Sequence, residues 1–127
     1  MNLLLDTHIL LWWDATDPAL NPNARAMIQA PENNVFVSAV SVWEIAIKRR
    51  LGKLVFHGPV TATIGANGFL ELPVLPIDCE QAGDLGWPHS DPFDRLLVAQ
   101  AVRRGFTMLT ADSTIRTFGA VAQIWAG

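Results

Sequence analysis

The run Leu3-Leu4-Leu5 contains no polar residue and is stopped by Asp6. A strand with one wet face alternates apolar and polar residues. A strand that is apolar throughout is buried on both faces, which is the habit of parallel strands in α/β proteins. Val35-Phe36-Val37 and Met108-Leu109 repeat the pattern, and segments of helix length lie between the runs. Strands alternating with helices predict an α/β fold with a parallel sheet covered on both faces.

Local signals place the elements. Asn2–Asp6, Asn34–Ser38, Pro73–Ile77, Thr107–Thr110 and Val121–Ile124 read as strands. Thr7–Asp14, Asn23–Gln29, Ser41–Leu51, Pro59–Ala66, Asp78–Leu85, Pro92–Arg104 and Ser113–Phe118 read as helices. Pro92–Arg104 has the clearest ends, with Asp91 as N-cap, Pro92 at the first helical position and Gly105 just past the last. Prolines bracket Pro73–Ile77, which puts that strand at a sheet edge.

At 127 residues, half of them hydrophobic, the chain suits one domain over 1–127 with one core. Its formal net charge of −3 gives no global sign of nucleic-acid binding. Cys79 is the only cysteine, which excludes an internal disulfide and a cysteine-based zinc site and fits a reducing cytosol. Met1–Trp13 is apolar but lacks a basic leader and is broken by Asp6 and His8, so it reads as a buried strand and helix rather than a signal peptide. No run approaches the roughly 18 apolar residues of a membrane span.

The candidate chemistry lies in Asp6, Glu44, Asp94 and Asp112, each just past an apolar run or near the start of a helix. Parallel strands end on one edge, and ligands bind in the crevice outside those ends. Each acid also has a plain capping role open to it. Ser41-Val42-Trp43-Glu44 has the form of a capping box, Asp94 stands three after Asp91, and Asp6 and Asp112 precede helices. Glu44 shares a helix face with Ile47 and Leu51, and Asp94 with Val98 and Ala101, so both should face inward. A buried carboxylate is costly unless paired or metal-bound, and most of the basic residues sit at the far ends of helices. Four carboxylates in one pocket call for a hard divalent cation such as Mg²⁺ or Mn²⁺. Asp78 reads as an ordinary N-cap, and Asp91 as an N-cap that can also touch the site. His8 and His89 lie near the acids in sequence and read as structural. Trp43 and Trp87 read as core, whereas Trp12 and Trp13 cannot both face inward on one helix.

Other chemistries fit poorly. There is no zinc-hydrolase His pair, nucleophile elbow, dinucleotide-binding glycine motif or Walker loop. An aspartyl phosphatase wants two acids spaced one apart after the first strand, but the run here is Asp6-Thr7-His8. A phospho-acceptor domain needs a late lysine, and the last is Lys53.

Taken in series, four segments resemble the PIN-domain family, and within it the toxin of the VapBC type of toxin–antitoxin pair. They are Leu3-Leu4-Leu5-Asp6-Thr7-His8, the stretch Val37–Ile45 around Trp43-Glu44, the stretch His89–Ala101 around Asp91-Pro92-Phe93-Asp94-Arg95, and Leu109-Thr110-Ala111-Asp112. The resemblance implies a three-layer α/β/α sandwich with a mostly parallel sheet of four to five strands. It implies a Mg²⁺- or Mn²⁺-dependent endoribonuclease toxin, a homodimer, an RNA substrate and a cognate antitoxin protein. By position Asp6, Glu44, Asp94 and Asp112 match the acidic quartet, and Asp91 and Arg95 belong to the same motif with a secondary role. Asp6 and Asp94 would hold the main metal, with Asp112 ligating directly or through water and Glu44 binding a second ion or orienting water. Arg95 and the Lys48–Lys53 cluster are candidate phosphate contacts. The segment Ile9–Trp13 with the helix Ser41–Leu51 could form a groove for an antitoxin helix. The rival reading is a non-catalytic scaffold that binds RNA or protein through the same acidic pocket.

Overall fold

The computed structural model describes residues 1–127. Five strands form one sheet, β1 (Asn2–Leu5), β2 (Asn34–Ser38), β3 (Leu70–Leu72), β4 (Thr107–Thr110) and β5 (Gln123–Trp125). Their spatial order is β3-β2-β1-β4-β5, and every pairing is parallel. Seven helices surround it: α1 (Thr7–Asp14), α2 (Pro22–Gln29), α3 (Ala39–Arg50), α4 (Val60–Ala66), α5 (Pro76–Asp84), α6 (Pro92–Arg104) and α7 (Ser113–Arg116).

The apolar strands are buried on both faces, as expected. Leu3, Leu5, Val35, Val37 and Leu109 pack with Ile9, Leu10, Ala24, Ile28, Ile45 and Ile64, so α1 to α4 cover one face. Leu4 and Met108 point the other way, against Leu97, Val98, Ala101 and Ile115 of α6 and α7. Period-two alternation inside an all-apolar strand thus feeds two cores, which is the three-layer sandwich. The chain winds from β1 out to β3, then returns to place β4 on the other side of β1. That reversal leaves a crevice at the carboxyl ends of β1 and β4.

Three boundaries differ from expectation in ways that matter. The third strand is Leu70–Leu72 rather than Pro73–Ile77, because its register partners are Phe36, Val37 and Ser38 of β2, and Pro73 cannot donate to the ladder. It does lie at the edge. Pro76 instead opens α5, so Asp78 is inside the helix rather than its N-cap; fully buried, it accepts from Leu75 N at 2.8 Å and from Arg103 Nε at 2.5 Å. The last strand is Gln123–Trp125, shifted to pair with Met108, Leu109 and Thr110.

A further boundary, the start of α3, bears on the site. Helix α3 starts at Ala39, with Ser38 as N-cap accepting from Val40 N at 3.0 Å. Ser41 is therefore inside the helix, where its hydroxyl meets Thr7 Oγ1 at 2.8 Å. The Ser41–Glu44 capping box does not form, and Glu44 lies in the second turn, facing inward. Of the tryptophans, Trp87 is core at 7% exposure, but Trp43 is 58% exposed with its ring edge-on to Phe93. Trp12 and Trp13 are both half-buried against the α1–α4 core.

Candidate active site

Each acid reaches the crevice from a different element. Asp6 ends β1, Asp112 follows β4 as the N-cap of α7, Glu44 descends from α3, and Asp94 sits in the first turn of α6. Asp6, Glu44 and Asp94 are buried, while Asp91 and Asp112 are half-buried at its rim.

Asp94 and Asp112 come close enough to Asp6 to disturb its charge, and Asp112 does the same to Asp94. Burial pushes the Asp6 carboxyl up to about 7, with the negative charges of Asp94 and Asp112 adding to the effect. Burial also lifts Asp94 to about 6, aided by Asp91 and Asp112 and opposed by its hydrogen bond with His89. No lysine or arginine bonds to Asp6, Asp94 or Asp112.

Capping and site duties coexist. Asp91 Oδ1 accepts from Phe93 N at 2.9 Å and Asp94 N at 3.1 Å. Asp112 Oδ1 accepts from Thr114 N at 2.7 Å. In both carboxylates these bonds engage only Oδ1 and leave Oδ2 free. Asp6 stands at an N-cap position but makes no side-chain cap; its Oδ2 accepts instead from Thr110 Oγ1 at 2.9 Å. Thr110 Oγ1 in turn accepts from Asp112 N at 3.1 Å, so one hydroxyl ties the ends of β1 and β4 to both acids.

Glu44 is held differently. Its Oε2 lies 2.5 Å from Lys48 Nζ, one helical turn away, and its Oε1 is buried with no partner. Lys48 also feels Asp91 and Asp94, so its ammonium belongs to the acidic pocket. The expected Lys48–Lys53 phosphate cluster is thus split. Lys48 turns inward, Arg49 bonds the carbonyl of Gly58 at 2.7 Å, and Lys53 lines a cavity of about 300 Å³ between α1 and α3 with Thr7, His8, Leu11 and Glu44.

Arg95 is not free to meet phosphate. Its guanidinium donates to the carbonyls of Ala82, Trp87, His89 and Leu85 at 2.9, 2.5, 2.9 and 3.1 Å. A planar five-donor fork suits a turn whose carbonyls have no helix or strand to satisfy them. Arg95 thereby fixes the segment that carries His89.

Two contributors take roles other than those read from the sequence, where His89 is structural and Lys48 part of a phosphate-contacting cluster. His89 Nε2 lies 2.8 Å from Asp94 Oδ2, and ligand atoms of His89, Asp91 and Asp94 fall within 4.8 Å of one another. Trp87 packs on the imidazole at 4.8 Å between ring centroids. The second is Lys48, whose signal was its spacing of four from Glu44 on one helix face. A donor set of carboxylate oxygens, one of them held by the His89 imidazole, fits a hard divalent ion such as Mg²⁺ or Mn²⁺. The orphaned Glu44 oxygen and the raised Asp6 and Asp94 carboxyls are charges and lone pairs that a cation could satisfy.

The family model for the PIN domain matches residues 3–121. The chain belongs to the PIN-domain family. This PIN domain is 28% identical over 120 residues to Ribonuclease VapC22 of Mycobacterium tuberculosis (strain ATCC 25618 / H37Rv), covering 91% of this chain and 90% of that protein. Its fold is similar to that of VapBC2 from Rickettsia felis, solved bound to a DNA fragment from its promoter, with TM-score 0.71, 14% identity and 98% of each chain covered. It is similar also to VapBC-5 from Mycobacterium tuberculosis, a member of the VapBC family of toxin–antitoxin systems, with TM-score 0.59, 17% identity and 97% of each chain covered. The α/β/α sandwich expected of a PIN domain is the one observed.

Proposed function

We propose that this PIN domain, spanning 1–127 as one nuclease unit, is a metal-dependent endoribonuclease toxin of the VapC kind, cytoplasmic, homodimeric and neutralised by a cognate antitoxin. The observation that carries the reading is the pair Asp6 and Asp94, two buried carboxyls with raised proton affinity, Asp94 adding to the rise at Asp6, and no lysine or arginine bonded to either. The similarity to a protein named as a ribonuclease, over nine-tenths of both chains, supports the reaction class. The likeness to VapBC proteins supports the antitoxin partner.

Asp6 and Asp94 would hold Mg²⁺ or Mn²⁺, with Asp112 and Asp91 offering their free oxygens. A divalent ion held by these residues would acidify water and offset charge on phosphate. Thr110 fixes the rotamer of Asp6, and His89 fixes Asp94. Glu44, with one oxygen unpartnered, orients the attacking water and accepts its proton. Water adds to phosphorus as the bond to the leaving ribose oxygen breaks, and that oxygen takes up a proton from solvent in the open crevice. Arg95 serves the site through the 82–89 turn rather than through RNA. Single-stranded or looped RNA suits the open crevice, where the backbone is accessible.

No helix of the chain is long and apolar enough to cross a membrane. The α1–α3 cavity, bounded by Leu11 and Leu54 with Lys48 and Lys53 at its edge, is where we place the antitoxin segment. The test is an RNA cleavage assay on the purified chain with Mn²⁺ and with EDTA. Cleavage that needs the metal supports the reading. RNA bound but uncut in Mn²⁺ would instead favour a non-catalytic scaffold.

A further inference from the structure

The acidic pocket contains a permanent cation of its own. Lys48 Nζ lies 2.5 Å from Glu44 Oε2 within a single helix, and Glu44 is only 6% exposed. Glu44 makes no other hydrogen bond. The residues whose ligand atoms converge most tightly are His89, Asp91 and Asp94, with Asp6, Glu44 and Asp112 outside that group. What sets Glu44 apart from Asp6 and Asp112 is its ammonium partner, so the pocket has one side of carboxyls with no lysine or arginine and one side where carboxylate and ammonium already neutralise each other. A second divalent ion at Glu44 would have to displace an ammonium from a short, charge-assisted contact. Lys48 is also placed to meet an anion, because its side chain is 39% exposed and lines the α1–α3 cavity with Thr7 and His8.

We infer that Lys48 stands in for a second metal ion: the site takes up one divalent cation, and the Lys48 ammonium supplies the other positive charge to the phosphate undergoing cleavage. This rests on the nuclease reading and deepens it. Lys48 acts partly on substrate and partly by positioning Glu44. Glutamate and lysine spaced four apart otherwise give only a weak surface pair. Here the partner carboxylate is buried, and the ammonium reaches the charge field of Asp91 and Asp94.

The test counts bound Mn²⁺ by calorimetry and by electron paramagnetic resonance on the metal-stripped full chain, in wild type, Lys48→Met, Lys48→Arg and Glu44→Gln. Wild type, Lys48→Arg and Glu44→Gln are expected to take up one ion per chain. Lys48→Met is expected to take up two, because Glu44 is freed. Its RNA cleavage at low Mn²⁺ should fall about 100-fold, the usual scale for losing one group that stabilises transition-state charge. Excess Mn²⁺ should restore much of that loss in Lys48→Met and do little for wild type. Two ions in wild type would overturn the inference, as would one ion in a folded Lys48→Met with no recovery in excess Mn²⁺. A wild-type chain that takes up no Mn²⁺ would overturn the nuclease reading itself, and this inference with it.

Discussion

The hydroxyl of Thr110 donates to Asp6 Oδ2 across 2.9 Å, joining the last residue of β4 to the acid that ends β1. The same oxygen accepts the backbone N–H of Asp112. Thr110 is fully buried, so these bonds have no water to replace them. Thr110→Val keeps the shape and removes both. It should cost about 1–3 kcal/mol of stability, the range for leaving buried polar groups unmatched. It should also weaken Mn²⁺ binding by about 10- to 100-fold, as loss of a partner that orients a metal ligand does. Denaturant unfolding and calorimetry measure the two effects. A Thr110→Val chain with wild-type Mn²⁺ affinity would show that Asp6 needs no such support.

Arg95 separates two roles cleanly. If it holds the 82–89 turn, Arg95→Met should destabilise the chain by about 3 kcal/mol, since several carbonyls lose a charged donor. The salt dependence of RNA binding by the remaining folded protein should not change, because no phosphate contact is removed. A stable Arg95→Met protein with a shallower salt slope would return Arg95 to the RNA surface.

The raised carboxyls give the metal-free protein an unusual pH response. Folded, Asp6 keeps its proton up to about pH 7 and Asp94 up to about pH 6. Unfolded, both release it near 3.8, the ordinary value for an aspartate. The folded state therefore binds more protons between these limits. The stability gained is fully present below about pH 4 and is lost as pH rises through 6 and 7, by about a few kcal/mol in all. Divalent metal competes with the same protons, so Mn²⁺ affinity should climb over that window. Thermal melts in EDTA, taken as wild type against Asp6→Asn, isolate the Asp6 contribution. Wild type should lose ground to Asp6→Asn as pH rises from about 5 to 8, and a constant difference would refute the assigned cause.

His89 should matter through Asp94. His89→Ala is expected to weaken Mn²⁺ by about 10- to 100-fold while leaving the fold intact, because the imidazole is half-buried beside the ligand it orients. His89→Gln, which can still donate to Asp94, should recover part of the loss. Equal losses in both variants would point to direct ligation by the imidazole.

The sequence was most readable where a signal was local. Asp91, Pro92 and Gly105 mark α6 to the residue, with Gly105 at φ 65° in the left-handed region that other residues avoid. Leu3–Leu5 announced a strand buried on both faces. Leu70–Leu72 was missed because three residues at an edge carry little pattern, and their pairing with Phe36–Ser38 is a long-range fact. Ser41–Glu44 misled because a second serine, Ser38, caps the helix three residues earlier. At the site, the acids were visible as residue types placed after strands or near the starts of helices. The parts played by Thr110, His89 and Arg95 were not, since each depends on where other elements lie. Lys48 was visible in spacing alone and hidden by its neighbours Arg49 and Arg50, which made it look like an ordinary basic helix end.

The most direct test of the acidic pocket is single-stranded RNA cleavage by the antitoxin-free chain, followed over time in Mn²⁺, in EDTA, and with Asp94→Asn in Mn²⁺. Cleavage in the first case and intact RNA in the other two is the expected result, with Asp94→Asn also losing the rise in melting temperature that metal gives the wild type. Cleavage that persists in EDTA, or in a folded Asp94→Asn chain, would contradict the assignment of these carboxylates to a metal-dependent nuclease.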